Sequence, residues 1–135
     1  MRIGDLARQA GVEVQTVRYY EREGLLEAPA RTQSGYRMYG PQHLERLNLV
    51  RHCRSLDMSL AEIKRLIDLS SNASVSCDEV DALVRGHLEK VRAKREVLEA
   101  LEVRLSALSA QCASGQRVAD CGILGELMHA AQADK

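Results

Sequence analysis

The spacing of apolar residues at the start of the chain predicts two short helices. Apolar side chains recur every three or four positions over residues 3–10, and Gly11 can then adopt the left-handed conformation that ends many helices. The apolar face of this helix consists of Ile3, Leu6, Ala7 and Ala10. A second helix is expected from about residue 14 to residue 23, with Val14 and Val17 facing inward and Gly24 at its end. Two short helices joined by a glycine-containing turn form a helix-turn-helix, whose second helix can enter the major groove of DNA.

The outward face of the second helix is polar. It consists of Gln15, Thr16, Arg18, Tyr19 and Arg22. A generic two-helix hairpin with a solvated polar face has the same pattern, so the spacing alone leaves both interpretations open. Tyr20 follows Val17 by three positions and suits core packing as well as a DNA contact.

A small β-hairpin is predicted over residues 31–39 (RTQSGYRMY). Ser34 and Gly35 form a turn signal within a stretch whose aromatic residues favour strands. Arg31 and Arg37 flank this turn. A hairpin with arginines beside a recognition helix is typical of a wing that contacts the DNA backbone or minor groove.

Two more helices and a linker follow. Pro41 is expected to open a third helix that runs to about Leu56. Ser59 and Glu62 have the spacing of a capping box, which predicts a fourth helix through Leu69. Residues 70–76 (SSNASVS) have the composition of a linker.

Residues 78–111 predict one long helix, because they contain no proline and only one glycine. At 1.5 Å per residue such a helix spans roughly 50 Å. One seam of its heptad pattern consists of Val84, Val91, Leu98 and Leu105, and the other of Val80, His87, Lys94, Leu101 and Leu108. A helix of this length must bury its apolar stripe against something outside the chain. His87 in the seam indicates register specification or partial exposure, with a second metal site as the alternative.

Charge is distributed unevenly although the formal net charge is zero. Residues 1–66 hold 11 basic and 8 acidic residues, and residues 67–135 hold 8 basic and 11 acidic residues. All basic residues of the first half except Lys64 are arginines, which suit bidentate contacts to phosphate and guanine.

No apolar run approaches the length of about 18 residues that a membrane span needs, so we expect no membrane partner. Four cysteines without a signal-peptide pattern favour the reducing cytoplasm.

Three cysteines form the candidate chemistry. Cys77 precedes the long helix, and Cys112 and Cys121 form a C-x8-C pair after it. Thiolates without nearby histidines indicate a soft metal. Cys77 cannot meet Cys112 across one long helix, but it can in an antiparallel dimer, which would hold two thiolate sites. Burial in a core and disulfide pairing are the alternatives for these three, and Cys53, inside the third helix, is expected to be a core residue. His43, His52 and His129 carry no spacing signal and are expected on solvated faces.

Three segments resemble the MerR family of transcriptional regulators. These are MRIGDLARQAGVEVQTVRYYEREGLL, SGYRMYG and HLERLNLVRHCRSLDMSLAEIKRLI. HCRSLDM, Cys77 and the C-x8-CGIL ending are most similar to the cadmium- and lead-responsive branch. The resemblance implies a mainly α fold. A winged helix-turn-helix DNA-binding domain (1–70) would be followed by a linker and a long antiparallel coiled-coil dimerisation helix (71–111), then by a metal-binding loop with a short C-terminal helix (112–135).

The resemblance also implies a mechanism and its DNA contacts. Family members bind, as homodimers, promoters with an overlong spacer, repress when empty, and activate RNA polymerase by bending and untwisting the double-stranded DNA when loaded. Matching positions imply that the DNA-binding residues are Gln15, Thr16, Arg18, Tyr19, Tyr36, Arg37 and Arg54.

The metal ligands implied here are Cys77, Cys112 and Cys121. Zinc sensors of the family add Cys and His near the first loop cysteine, and copper sensors replace the cysteine before the helix with serine; neither pattern occurs. Three thiolates suit Pb(II), Hg(II), or Cd(II) with Asp120 or water as one further oxygen donor, so the donor set leaves these three ions open. The resemblance favours Cd(II) or Pb(II), and Hg(II) is the alternative. No nucleophile elbow, C-x-x-C or phosphate loop indicates an enzyme. A cytoplasmic thiolate metal carrier is the remaining different class, but it would not need a winged helix-turn-helix.

Overall fold

The computed structural model describes residues 1–112 and 115–133, and they are mainly helical. The elements are α1 (Ile3–Ala10), α2 (Val14–Arg22), β1 (Ala30–Arg31), β2 (Arg37–Met38), α3 (Pro41–Ser55), α4 (Leu60–Ser70), α5 (Cys77–Ser109) and α6 (Gly122–Ala133), with a short 3-10 turn at Val118–Asp120 before α6. The chain divides into two compact units, Met1–Arg85 and Gly86–Lys135.

The helix-turn-helix has the predicted local geometry. Gly11 ends α1 in the left-handed conformation with φ of 70°, and α2 begins three residues later. Arg51 of α3 donates a hydrogen bond from Nη1 to the Ala10 carbonyl oxygen at 2.9 Å, so the end of α1 is held by a second helix. Val17 of α2 is fully buried, as its spacing predicts.

Two clusters of buried side chains form the core of the first unit. The cluster around α1 and α2 contains Leu6, Ala7, Ala10, Val17, Leu26, Tyr39 and Leu47. The cluster between α3 and α4 contains Leu25, Val50, Cys53, Met58, Ile63 and Ile67. Tyr20 packs against both clusters while remaining partly buried, so it acts as a core residue in this fold. Cys53 is buried as predicted.

The predicted wing is a two-stranded antiparallel hairpin. Ala30 pairs with Met38 and Arg31 pairs with Arg37. Gly35 has a φ of 85°, which the turn requires and which glycine adopts without strain. The end of the hairpin is bound to the start of the chain, because the Met1 amino group donates to the Tyr39 carbonyl oxygen and the Tyr39 amide donates to the Met1 carbonyl oxygen.

The capping box of α4 is confirmed. The Glu62 amide donates to Ser59 Oγ at 3.1 Å and the Ser59 amide donates to Glu62 Oε1 at 2.9 Å.

His43 shows the limit of local sequence patterns, because the prediction that it lies on a solvated face is wrong. It is only 3% exposed, its Nδ1 accepts a hydrogen bond from the Gly40 amide, and its ring packs edge-on against Tyr39. His52 and His129 lie on exposed faces.

Helix α5 has 33 residues and carries an uncovered apolar stripe. Leu98 and Leu105, both from the predicted seam, are each 64% exposed, and Val84 is 50% exposed. None of the described α5 residues is buried. Within residues 1–112 and 115–133, no helix is both long enough and apolar enough to cross a membrane.

Candidate nucleic-acid interface and metal centre

Helix α2 presents the predicted polar face to solvent. Gln15, Arg18 and Tyr19 are exposed, and Thr16 is half-buried. The burial of Val17 on the opposite side orients these side chains, because consecutive helical positions point about 100° apart. The face is therefore free to approach a groove.

The wing lies beside this face. Tyr36 is 56% exposed and the Arg37 side chain is 50% exposed. A concave cavity of about 440 Å³ is lined by Arg2, Ile3, Arg18, Tyr36 and Arg37. The fold thus brings residues predicted on the recognition helix and on the wing together around one basic surface. Arg2 also lines it, although the sequence pattern did not single it out.

Glu21 connects the recognition helix to the wing. Its Oε2 accepts a hydrogen bond from Arg37 Nη1 at 3.3 Å, and its Oε1 accepts one from the Tyr39 hydroxyl. Tyr39 is 3% exposed. Burial, followed by the hydrogen bond and negative charge of Glu21, raises the pKa of Tyr39 to about 12, although Arg37 acts in the opposite direction. No sequence signal marked Glu21, since its partners follow 16 and 18 residues later.

Arg54 occupies a different environment from the other predicted DNA contacts. Its Nη1 donates a hydrogen bond to the Met58 carbonyl oxygen at 2.7 Å, which links α3 to the turn that follows it. Its side chain remains exposed. The predicted phosphate contact by Arg54 stays a prediction, beside an observed bond from Arg54 to the turn after α3.

The two loop cysteines share one cavity in the second unit. Cys112 is exposed and Cys121 is half-buried, and both line a cavity of about 100 Å³ with Gln116, Arg117 and Val118. Two thiolate donors on one small cavity suit a soft metal ion.

Gly122 explains how the loop closes. A Cβ atom added at Gly122 would lie 2.6 Å from the Gln111 carbonyl oxygen, a separation that real Cβ atoms do not show. Only glycine therefore permits the start of α6 to approach the backbone next to Cys112 this closely. The approach sets Cys121 beside Cys112. The close contact could not be read from the sequence, where Gly122 is one of nine glycines.

Cys77 is the first residue of α5 and is exposed. Among the residues that the structure describes, no group of three or more His, Cys, Asp and Glu side chains converges in a way that could hold a metal ion. The single chain thus brings together two of the three predicted ligands. Cys53 is excluded as a ligand by its position in the core, and burial raises the pKa of its thiol.

Comparison with known proteins gives consistent matches over nearly the whole chain. The family model described as MerR HTH family regulatory protein matches residues 1–70, and the model described as MerR, DNA binding, matches residues 44–108. The HTH-type transcriptional regulator ZntR homolog of Haemophilus influenzae is 38% identical over 80% of this chain and 80% of its own length. The mercuric resistance operon regulatory protein of Bacillus cereus is 35% identical over 94% of this chain and 96% of its own.

A solved structure extends the similarity to a metal complex. A transcription regulator of Ralstonia metallidurans CH34, crystallised in complex with lead(II), is 46% identical to this chain. The match covers 94% of this chain and 98% of that chain, with a TM-score of 0.82. The mainly α architecture, with its helix-turn-helix and long helix, is thereby confirmed.

Proposed function

Because the chain belongs to the MerR family of helix-turn-helix regulatory proteins, we propose that it senses Cd(II) or Pb(II) and switches a metal-resistance promoter from repression to activation. A metal-responsive transcriptional regulator, and not an enzyme, is the function common to the family and its metal-sensing relatives. The proposal that the inducer is Cd(II) or Pb(II) rests above all on one observation, the cavity that Cys112 and Cys121 share. The lead(II) complex of the 46% identical regulator supports it.

The protein binds double-stranded promoter DNA through α2 and the wing. Gln15, Thr16, Arg18 and Tyr19 on α2, with Tyr36 and Arg37 on the wing, are the proposed contacts. Their exposure and the basic cavity between Arg18 and Arg37 support this assignment. Arg54 adds a further phosphate contact beyond its bond to Met58. RNA polymerase is the second partner at the promoter, and the cytoplasm is the compartment in which both partners are met.

Homodimerisation through α5 completes the metal site. The exposed apolar stripe of α5 supports a partner helix, because so much apolar surface is rarely left in water. A helix of 33 residues is about 50 Å long, so Cys77 and Cys112 lie too far apart along one chain for a shared ion. In an antiparallel dimer, Cys77 of the partner subunit meets Cys112 and Cys121. Each dimer then holds two such sites.

The donor set selects for soft divalent ions. Three thiolates suit Pb(II), and they suit Cd(II) when an oxygen from Asp120 or water is added. The ligand cysteines must be deprotonated to bind, so affinity rises with pH. Hg(II) is the second candidate inducer, and the 35% identical mercuric resistance regulator favours it.

Repression and activation are separate tasks for separate parts of the chain. The DNA-binding half contains none of the three ligand cysteines, so the empty protein occupies the promoter and represses. The bound ion supplies bonds that hold Cys112, Cys121 and Cys77 of the partner subunit together. The activating conformer is favoured only to the extent that it binds metal more tightly than the repressing one. DNA affinity therefore changes little, while DNA bending and untwisting change transcription.

The decisive experiment combines a gel shift with transcription in vitro on one promoter fragment. Wild-type protein should bind the fragment with and without metal and activate only with Cd(II) or Pb(II). Cys112→Ser should retain binding and repression but lose activation, whereas Cys53→Ala should behave like wild type. If Cys112→Ser no longer binds DNA, or still activates fully with metal, the proposed separation of DNA binding from metal-dependent activation is contradicted.

The inducer is identified by metal competition. Thiolate charge-transfer absorption is followed while Cd(II), Pb(II), Hg(II) and Zn(II) compete for the protein. Preference for Hg(II), together with activation by Hg(II) alone, favours the second candidate. Tight metal binding without any promoter binding would instead assign the chain to the class of metal carriers.

A further inference from the structure

The basic cavity between α2 and the wing includes a residue outside both elements. Arg2, the residue before α1, lines the cavity together with Arg18, Tyr36 and Arg37. The Arg2 guanidinium carbon lies 4.9 Å from the centre of the Tyr36 ring, which is the geometry of a cation–π contact.

The backbone holds Arg2 in this position. The Met1 amino group donates to the Tyr39 carbonyl oxygen at 2.8 Å, and the Tyr39 amide donates to the Met1 carbonyl oxygen at 2.7 Å. On the other side, the Arg2 carbonyl oxygen accepts the Leu6 amide of α1. Arg2 is thus fixed between the end of the wing and the first helix. Its side chain loses less freedom on binding a ligand than that of an arginine on a free terminus.

Three arginines line one cavity with little compensating charge. Arg37 is paired with Glu21 at 3.3 Å. Within residues 1–112 and 115–133, neither Arg2 nor Arg18 forms an ion pair with a carboxylate. Like charges gathered at one site repel one another, and an anion that enters the cavity removes that cost. Planar guanidinium groups match the oxygens of a phosphate in bidentate fashion.

We propose that Arg2 is a further DNA-binding residue and that it forms, with Arg18 and Arg37, a cradle for one backbone phosphate of duplex DNA. This inference rests on the proposed function, since it adds a contact to the same DNA interface. The cradle lies where the recognition helix and the wing meet. A phosphate bound there sets the position of both elements on the duplex without reading sequence.

The test is a titration of full-length protein against labelled duplexes over a range of salt concentrations. One duplex is enriched from a random library on wild-type protein, and the other has random sequence and equal length. Arg2→Ala should weaken binding to both by the same factor, about tenfold. It should also reduce the steepness of the salt dependence by about 0.9 per protomer. Arg2→Lys should restore the salt dependence and part of the affinity.

Arg8→Ala is the matched control. Arg8 is an exposed arginine of α1 that is paired with Asp5 and lies outside the cavity lining. Its removal changes the net charge equally, so equal effects of Arg8→Ala and Arg2→Ala overturn the inference. An unchanged salt dependence in Arg2→Ala, which a purely structural stack on Tyr36 predicts, also overturns it. The inference is also overturned if Arg2→Ala weakens binding to the enriched duplex alone, or if wild-type protein binds an RNA duplex as tightly as the DNA duplexes. Failure of wild type to enrich any duplex contradicts the proposed function instead.

Discussion

At the scale of single residues, Glu21 and Tyr39 connect the recognition helix to the wing. Glu21 is 14% exposed at its side chain and accepts hydrogen bonds from both Arg37 and the Tyr39 hydroxyl. A carboxylate that is largely withdrawn from water is stabilised by such donors. The two hydrogen bonds of Glu21 therefore hold the wing at a defined position relative to α2. A DNA contact made by both elements requires such a fixed position.

The raised pKa of Tyr39 predicts a loss of stability at high pH. Below about pH 10 the Tyr39 hydroxyl is protonated in both the folded and the unfolded chain. Its full contribution to the free energy of unfolding is therefore present in that range. The folded-state pKa is about 12. The free energy of unfolding should therefore fall as pH rises from about 10 through 12, by about 2 to 3 kcal/mol. Denaturant unfolding at several pH values measures this, and tyrosinate absorption follows the titration. Tyr39→Phe should remove the tyrosinate signal that forms at the highest pH. If a signal with a pKa of about 12 remains in that variant, its assignment to Tyr39 is contradicted.

Gln15 is the residue on which sequence-specific reading is expected to depend. A bidentate amide contact to adenine discriminates among bases by about 1 to 3 kcal/mol. Gln15→Ala should therefore change the order of preference among related duplexes. Arg37→Ala, as a control for backbone contact, should weaken binding to all of them and lower the salt dependence. Competition gel shifts measure both, and an equal loss on every duplex with Gln15→Ala would show that another residue reads the bases.

At the scale of elements, the start of α6 determines the geometry of the cysteine loop. Gly122 lies so close to the Gln111 carbonyl that a side chain cannot be accommodated without moving the helix. Helix α6 also contains Gly125, around which a Cβ atom would meet nothing within 4 Å. The two glycines of one helix thus differ in what they allow.

This difference predicts opposite outcomes for two similar substitutions. Gly122→Ala should displace Cys121 from the cavity it shares with Cys112 and weaken Pb(II) binding about tenfold or more, because ligand geometry limits metal affinity. Gly125→Ala should leave it unchanged and slightly favour the helix, since alanine is the better helix former. Competitive titration with a chromophoric chelator measures both affinities. Equal affinity of the two variants would mean that the loop does not depend on this close approach.

At the scale of the whole molecule, the proposed metal site needs two chains. Within the part of the chain that the structure describes, Cys112 and Cys121 share a cavity and no third ligand joins them. The uncovered stripe of α5 supports the same conclusion from packing, because Leu98 and Leu105 would lose contact with water in a coiled coil.

Subunit exchange tests whether the site crosses the dimer. Neither Cys77→Ser nor the double variant Cys112→Ser/Cys121→Ser should show three-thiolate absorption with Pb(II) as a homodimer. A mixture of the two should recover it after exchange, because one site in each heterodimer keeps Cys77 from one subunit and the loop pair from the other. About half of the wild-type signal per heterodimer is expected, since wild type holds two such sites. Full three-thiolate absorption by either variant alone contradicts a shared site.

The sequence by itself determined the elements and the class of the protein. Capping by Ser59 and Glu62, the end of α1 at Gly11 and the helical spacing of Val17 depend on neighbours within a few positions, so they can be read locally. The same holds for the motifs that indicate the MerR family. The cysteine spacing likewise singled out the two loop cysteines, which share a cavity in the structure.

Tertiary structure alone decided which distant residues meet. Arg2 lies over Tyr36, Glu21 joins Arg37 to Tyr39, His43 is buried against Tyr39, and Gly122 lies against Gln111. Each of the first two contacts links separate elements, and the burial of His43 depends on how the wing packs over the start of α3. Local periodicity contains no information about such contacts, because they depend on how elements pack once apolar faces are buried. The basic cradle and the closed cysteine loop therefore emerge only from the fold.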